Sequence, residues 1–188
     1  TLGREVSSLE IRRSNAAADA IACRFCDGPI QRELVAESQH GYALASFGLM
    51  VEGWLLSVPP AHVSSIAELT ESEWAPFKRF TGDIFDRVGK QYAVRPVMFE
   101  HGSAGAGRLA GCGVDHAHLH IVPLELDIRL LVGKLEGGNS QPWQATPGRP
   151  EARPGLDYLW VVDGTGSWVR YSEDQGSQVI RRAIASEL

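Results

Sequence analysis

Two periods run through the apolar positions of this chain. Alternation with a period of two marks strands, and spacing of three and four marks a helix facing a core. "ELVAES" and "YALASF" read as two short strands, with Gln39, His40 and Gly41 as a hairpin-like junction. "GWLLSVPP" reads as a buried strand run stopped by Pro59 and Pro60, and "RPVMFEHG" as a further strand. Between them Trp74, Phe77, Thr81, Ile84 and Val88 form one stripe of a long helix. Thr70 and Glu73 are the residues of a capping box at its start. Pro76 falls late for a first-turn proline, so Ser72 as the cap, with a short break near Pro76, is a competing expectation.

Outside that centre the pattern is looser. Residues 1–22 lead into the alanine-rich "NAAADAIAC" and read as helix or loose extension. "CRFCDGPI" carries turn chemistry at Asp27, Gly28 and Pro29. "SAGAGRLAGCGVD" is a glycine-rich loop. Residues 136–155 carry many Gly and Pro, and a loop that long inside a compact domain is usually functional or mobile. "DYLWVVD", "GTG" and "SWVRYSE" read as a hairpin, and "SQVIRRAIASEL" as a final helix. The layout is α+β, mainly antiparallel strands with one long central helix.

"DHAHLHIVP" changes the picture from fold to chemistry. Three of the six histidines, His116, His118 and His120, alternate with Ala117, Leu119 and Ile121. On a strand these imidazoles share one face, about 6.5–7 Å apart, with an apolar face behind them. A helix would turn His118 away. The pattern points to a metal site, a phosphate-transfer site, or both. Imidazole is neutral and nucleophilic near pH 7 and leaves readily from phosphorus. Gly107, Gly111 and Gly113 in the preceding loop let backbone N–H groups approach an anion, and Arg108 lies in the same loop. His101 is close enough in sequence to that loop to touch a substrate. "CRFC" places Cys23 and Cys26 at a spacing that reaches a zinc ion.

Composition sets bounds. With 188 residues, 44% hydrophobic and 22% charged, the chain suits one good-sized soluble domain. A net charge of −5 argues against bulk nucleic acid or an anionic membrane as partner, though not against an anionic small molecule. No apolar run is long enough for a membrane span, and the polar start shows no signal-peptide pattern. Three cysteines are an odd count, which favours a reducing, cytoplasmic setting over a disulfide framework.

"DHAHLHIVP" resembles the signature of the histidine triad (HIT) family, in which three histidines alternate with apolar residues. "GWLLSVPPAHVSSIAELT" resembles the family's strand, turn and long helix, and "FEHG" with the glycine loop resembles the segment before the triad strand. The resemblance covers about residues 23–124 and implies one HIT-like domain across 1–188, with 125–188 as a C-terminal hairpin-and-helix elaboration. It implies a nucleotide hydrolase or nucleotidyltransferase acting at an α-phosphate. His118 would be the nucleophile that forms a nucleotidyl-histidine, and His120 would position or protonate phosphate oxygens. Glu100, His101, Arg108, Gly111, Cys112 and Gly113 become substrate-binding candidates. Glu100 stands where many members have Asn or Gln, and Cys112 and Gly113 where many have Gln or Ser. Resemblance to zinc-bearing members, and to galactose-1-phosphate uridylyltransferases, implies a structural Zn(2+) held by Cys23, Cys26, His62 and His116. It also implies pairing into a homodimer through the long helix and an adjacent strand. A nucleotide phosphorylase, a single catalytic zinc on all three histidines, and a non-catalytic nucleotide-binding or regulatory module are the alternatives.

Overall fold

A computed structural model describes residues 23–27, 33–48, 50–105, 114–138, 141–173, 176 and 178–188. The expectations for residues 1–22, and those placed on Gly107, Arg108, Gly111, Cys112 and Gly113, lie outside the described residues.

The centre is one eight-stranded sheet in the order β1-β2-β3-β5-β4-β7-β8-β6. Its strands are β1 (Leu34–Ser38), β2 (Gly41–Ala45), β3 (Leu55–Val58), β4 (Val97–Gly102), β5 (Leu119–Val122), β6 (Gln144–Ala145), β7 (Asp157–Asp163) and β8 (Gly166–Ser172). Every pairing is antiparallel. The β1–β2 and β7–β8 hairpins fall where period-two alternation and turn residues predict them. The β7–β8 hairpin joins the sheet through β7 against β4, so the C-terminal third extends the same sheet.

The long helix α1 spans Glu71–Tyr92 without a break. Thr70 is its cap: Glu73 N–H donates to Thr70 Oγ1 at 3.3 Å, and Thr70 N–H donates to Glu73 Oε2 at 2.8 Å. Such a cap contributes about 1 kcal/mol. The alternative of a Ser72 cap and a break at Pro76 is therefore overturned. Pro76 removes the bond to the Ser72 carbonyl, but Ser72 sits on the exposed face, where water can take that carbonyl. Trp74, Phe77, Thr81, Ile84 and Val88 are all buried in the chain's own core. A dimer cannot use that stripe, and a sheet-extending pair would have to join at the β1 or β6 edge.

Strand alternation sorts side chains onto two covered faces. Ala117 and Leu119 pack with Trp74 and Phe77 of α1, and Ile121 with Ile84 and Val88. On the other face Trp54, Phe99 and Val122 pack under two short helices, α2 (Ile128–Leu135) and α3 (Val179–Ala185). Ile180 and Ile184 of α3 are fully buried there, worth about 1.5–3 kcal/mol each. Helix α2 was not anticipated from the sequence. The described residues of 141–155 are tied down: Arg149 donates to the Ile66 and Leu69 carbonyls, at 3.2 and 2.6 Å, and Trp143 packs on the core.

The histidine run departs from expectation in one respect. Only Leu119–Val122 pair as a strand; His116, Ala117 and His118 precede the ladder. In the β3–β5 register Ser57 faces Leu119, so Pro59 and Pro60 fall opposite Ala117 and His116. Neither proline has an N–H to donate, and the ladder ends. The Ala117 N–H goes instead to the Val63 carbonyl at 2.7 Å.

Candidate functional site

Although the ladder stops, the histidines stay close, with His118 and His120 ring centroids 5.0 Å apart. Each makes a hydrogen bond that fixes its tautomer. His118 Nδ1–H donates to the His116 carbonyl at 2.7 Å, so Nε2 keeps its lone pair. The Trp54 Nε1–H donates to His120 Nδ1 at 3.0 Å, so the ring proton of neutral His120 sits on Nε2. His116 Nε2–H donates to the Pro59 carbonyl at 3.0 Å, leaving Nδ1 as a ligand. Burial keeps His118 below the ordinary histidine value; its bond to the His116 carbonyl opposes this, and the charge of Arg181 adds to it. Burial, with smaller contributions from His118, His101 and Arg181, holds His120 well below that value. Both rings are neutral at neutral pH.

His116 Nδ1 faces a cluster on its outer side. It lies 3.5 Å from Cys23 Sγ, 3.5 Å from Cys26 Sγ and 3.2 Å from His62 Nδ1, while Cys26 Sγ lies 3.1 Å from His62 Nδ1. All four atoms fall within 4.8 Å of one another. A tetrahedral ion with Zn–S of about 2.3 Å and Zn–N of about 2.0 Å sets S···N near 3.5 Å and N···N near 3.3 Å. Two thiols and two imidazole nitrogens at these spacings can hold a metal ion, and their number leaves no open coordination position.

On the inner side His118 and His120 line a pocket of about 260 Å³. Phe25, Phe47, Leu56 and Val114 form an apolar wall, and Ser46, Gly48, Gln178 and Arg181 a polar one. Phe25 stands edge-on to both His116 and His118, at 5.6 and 5.4 Å. The turn that carries Cys23 and Cys26 therefore also supplies a pocket wall.

The sequence-predicted residues divide. His116, His118 and His120 converge, as do the four metal candidates. His101 shares the pocket-side face of β4 with Phe99, but lies beneath α3, where its Nε2 accepts the Ile180 N–H at 3.3 Å. Burial pushes its pKa down to about 3. Glu100 is the correction. It points to the α1 face, accepts hydrogen bonds from Ile66 N–H at 2.9 Å and from the Tyr158 hydroxyl, and does not line the pocket. Burial pushes its pKa up to about 8, against those two bonds. Neighbouring strand residues point to opposite faces, so Glu100 and His101 could not both face one pocket. Trp54, Phe25, Gln178 and Arg181 were missed. Phe25 sits inside the Cys23–Cys26 spacing, which was a usable signal. Arg181 is brought in by tertiary folding, and no local pattern marks it.

No protein-family model matches the chain. The curated protein called Protein hit, of Bacillus subtilis (strain 168), is 26% identical over 121 residues, which are 58% of this chain and 73% of that protein. Among solved structures the chain is similar to a HIT family protein from Bacillus anthracis, 22% identical, covering 68% of this chain and 84% of that one, TM-score 0.48. It is also similar to a HIT family hydrolase from Clostridium thermocellum, 21% identical, covering 58% and 95%, TM-score 0.43.

Proposed function

We propose that this protein is a nucleotide hydrolase or nucleotidyltransferase that works at the α-phosphate through a nucleotidyl-histidine on His118. The observation that carries this reading is the 2.7 Å bond from His118 Nδ1–H to the His116 carbonyl, which leaves an unprotonated Nε2 in a pocket lined by a second imidazole and a guanidinium. In the first step the Nε2 lone pair forms an N–P bond. The bond from phosphorus to the leaving oxygen breaks, and that oxygen keeps the electron pair and takes a proton from solvent. In the second step an acceptor hydroxyl or water forms a P–O bond, the N–P pair returns to Nε2, and the acceptor's proton is released. His120, with its proton on Nε2, donates to a phosphate oxygen as charge builds.

The apolar wall of Phe25, Phe47, Leu56 and Val114 suits the nucleoside part of such a substrate. Cys23, Cys26, His62 and His116 would hold a structural zinc ion, whose contribution is to fold the 23–27 turn onto the histidine segment. A reducing, cytoplasmic setting is the one that would keep Cys23 and Cys26 available to a metal ion rather than to a disulfide. Among the described residues no helix is long and apolar enough to cross a membrane.

The test is intact-protein mass spectrometry, quenched in base, after incubation with a panel of nucleotides and nucleotide sugars. An adduct mapped to His118 is expected, and its mass names the nucleotide. His118→Asn should keep fold and metal, yet lose the adduct and several orders of magnitude in turnover. Near-wild-type turnover in that variant, with a substrate the wild type converts, would overturn the mechanism.

A further inference from the structure

The polar wall of the pocket is delivered by the C-terminal helix α3, through Arg181. Its Nη1 donates to Ser46 Oγ at 3.2 Å, and its Nη2 donates to the Phe47 and Gly48 carbonyls at 3.0 and 2.8 Å. The guanidinium also stacks on Trp54, 4.8 Å from the ring centroid. These contacts use three of five guanidinium N–H donors and fix the plane of the group.

Three observations separate this residue from a staple that merely holds α3 down. First, among the described residues Arg181 makes no ion pair. A half-buried cation facing only neutral partners is stabilised by an anion that arrives from outside. Second, Arg181 is the only arginine, lysine or carboxylate among the described residues lining the pocket, and it lies there with His118 and His120. Third, Trp54 joins it to the histidines: one face of the indole carries Arg181 while the ring N–H holds His120. The helix is seated independently by His101, which accepts the Ile180 N–H beside His120.

We propose that Arg181 is a substrate-binding residue that grips the non-bridging oxygens of the phosphoryl group attacked by His118, which makes the C-terminal extension part of the active site. This rests on the reading of His118 as nucleophile, and it adds a charge-selective element that the three histidines lack. A planar guanidinium, already oriented, suits a tetrahedral phosphoryl group with two oxygens on one side. An uncharged nucleoside should gain nothing from it.

The experiment uses the full chain with its metal. The probes are inorganic phosphate and the four common nucleoside 5′-monophosphates, each compared with its nucleoside. Binding is read by calorimetry and by side-chain NMR of 15N-labelled histidine. In the wild type, phosphate should shift the His118 and His120 resonances, and each monophosphate should bind at least about tenfold more tightly than its nucleoside. Arg181→Ala should lose about tenfold or more for phosphate and monophosphates while nucleoside affinity stays within about twofold. Arg181→Lys should recover part of that loss. Arg181→Gln, which keeps amide donors for residues 46–48, should behave like Arg181→Ala and stands in for it if the alanine variant does not fold.

Equal loss for monophosphate and nucleoside would make Arg181 a staple only and overturn the proposal. So would unchanged monophosphate affinity in both uncharged variants, or a wild type in which phosphate leaves His118 and His120 unmoved. The two readings fail separately. Absence of any His118 adduct in the wild type sinks the nucleophile assignment, whereas the phosphate titration judges Arg181 by itself. If both hold, Arg181→Ala should still form the adduct, about 10²–10³ times more slowly.

Discussion

Trp54→Phe isolates what holds the site in shape. Trp54 is fully buried and makes three contacts that matter. Its Nε1–H donates to His120 Nδ1 at 3.0 Å, its ring meets Phe99 edge-on at 5.9 Å, and Arg181 stacks on it. Phenylalanine keeps an aromatic ring and removes the donor. His120 Nδ1 loses its indole partner in a buried place, which costs about 1–3 kcal/mol. The smaller ring leaves a void, roughly 1 kcal/mol more at ~24 cal/mol per Å³. The expected loss is therefore about 2–4 kcal/mol, which a domain with stability on the order of 5–15 kcal/mol survives. Function should suffer through the tautomer. Without the indole, the His120 proton is free to move to Nδ1, and the donor at Nε2 disappears from the pocket. A lost transition-state donor costs about 10²–10³ in rate. Urea denaturation measures the first effect and 15N NMR of His120 reads the second. A loss below about 0.5 kcal/mol, with His120 still protonated on Nε2, would refute the role assigned to Trp54.

Four further outcomes follow from the geometry. Cys23→Ser or Cys26→Ser should lose bound zinc and melting temperature together; full occupancy by elemental analysis in either variant would remove that residue from the cluster. Glu100→Gln should leave turnover within about threefold, because Glu100 faces away from the pocket; a loss beyond tenfold would return it to the site. His101 has a folded pKa of about 3, lowered chiefly by burial, against about 6.5 unfolded. The unfolded chain thus takes a proton that the native one refuses, and stability falls as pH drops below about 6.5, by about 2 kcal/mol at pH 5 from this group. His101→Gln should flatten that slope by nearly one proton in pH-dependent denaturation, and an unchanged slope would contradict the burial argument. Light scattering at micromolar concentration should give a dimer mass if the chain pairs through a sheet edge, and a monomer mass would exclude that pairing.

Much of the scaffold was legible because local chemistry and tertiary packing agree. Thr70 and Glu73 make the capping box their spacing predicts, and Val35 and Leu44 lie in strands flanking the turn at Gln39–His40. The cluster of two cysteines and two histidines was legible for a different reason. Cys23 and Cys26 are fixed by short spacing, and His62 and His116 by resemblance to zinc-bearing relatives of the triad, so the long-range step was borrowed. Helix α2 was overlooked although Asp127 caps it, with its side chain accepting the Leu130 N–H at 3.0 Å, and Ile128, Leu131 and Val132 recur at helical spacing. Its eight residues are too few for periodicity to stand out beside strands. Arg181 belongs to another category. It reaches the pocket because Ile180 and Ile184 on the same short helix bury against the sheet face opposite α1. Only the sheet order, with β7 beside β4, brings that helix over the histidines.

The early end of the β3–β5 ladder ties the site together. The Ser46 N–H donates to the Trp54 carbonyl, so Trp54, Leu56 and Val58 turn their backbone groups to β2 while Leu55 and Ser57 turn theirs to β5, and the next hydrogen-bonded pair with β5 would be Pro59 with Ala117. Pro59 has no N–H for the Ala117 carbonyl, and the Ala117 N–H turns to the Val63 carbonyl, so pairing stops there. Beyond the ladder the His116 carbonyl accepts the proton of His118 Nδ1, and this bond, rather than the strand itself, orients the His118 ring. The imidazole of the same His116 is held from both ends, by the Pro59 carbonyl and by the Cys23, Cys26 and His62 cluster. One residue therefore fixes the tautomer of its neighbour with its backbone while its side chain anchors the segment. Pro59, the residue at which the ladder stops, is the one whose carbonyl holds that imidazole.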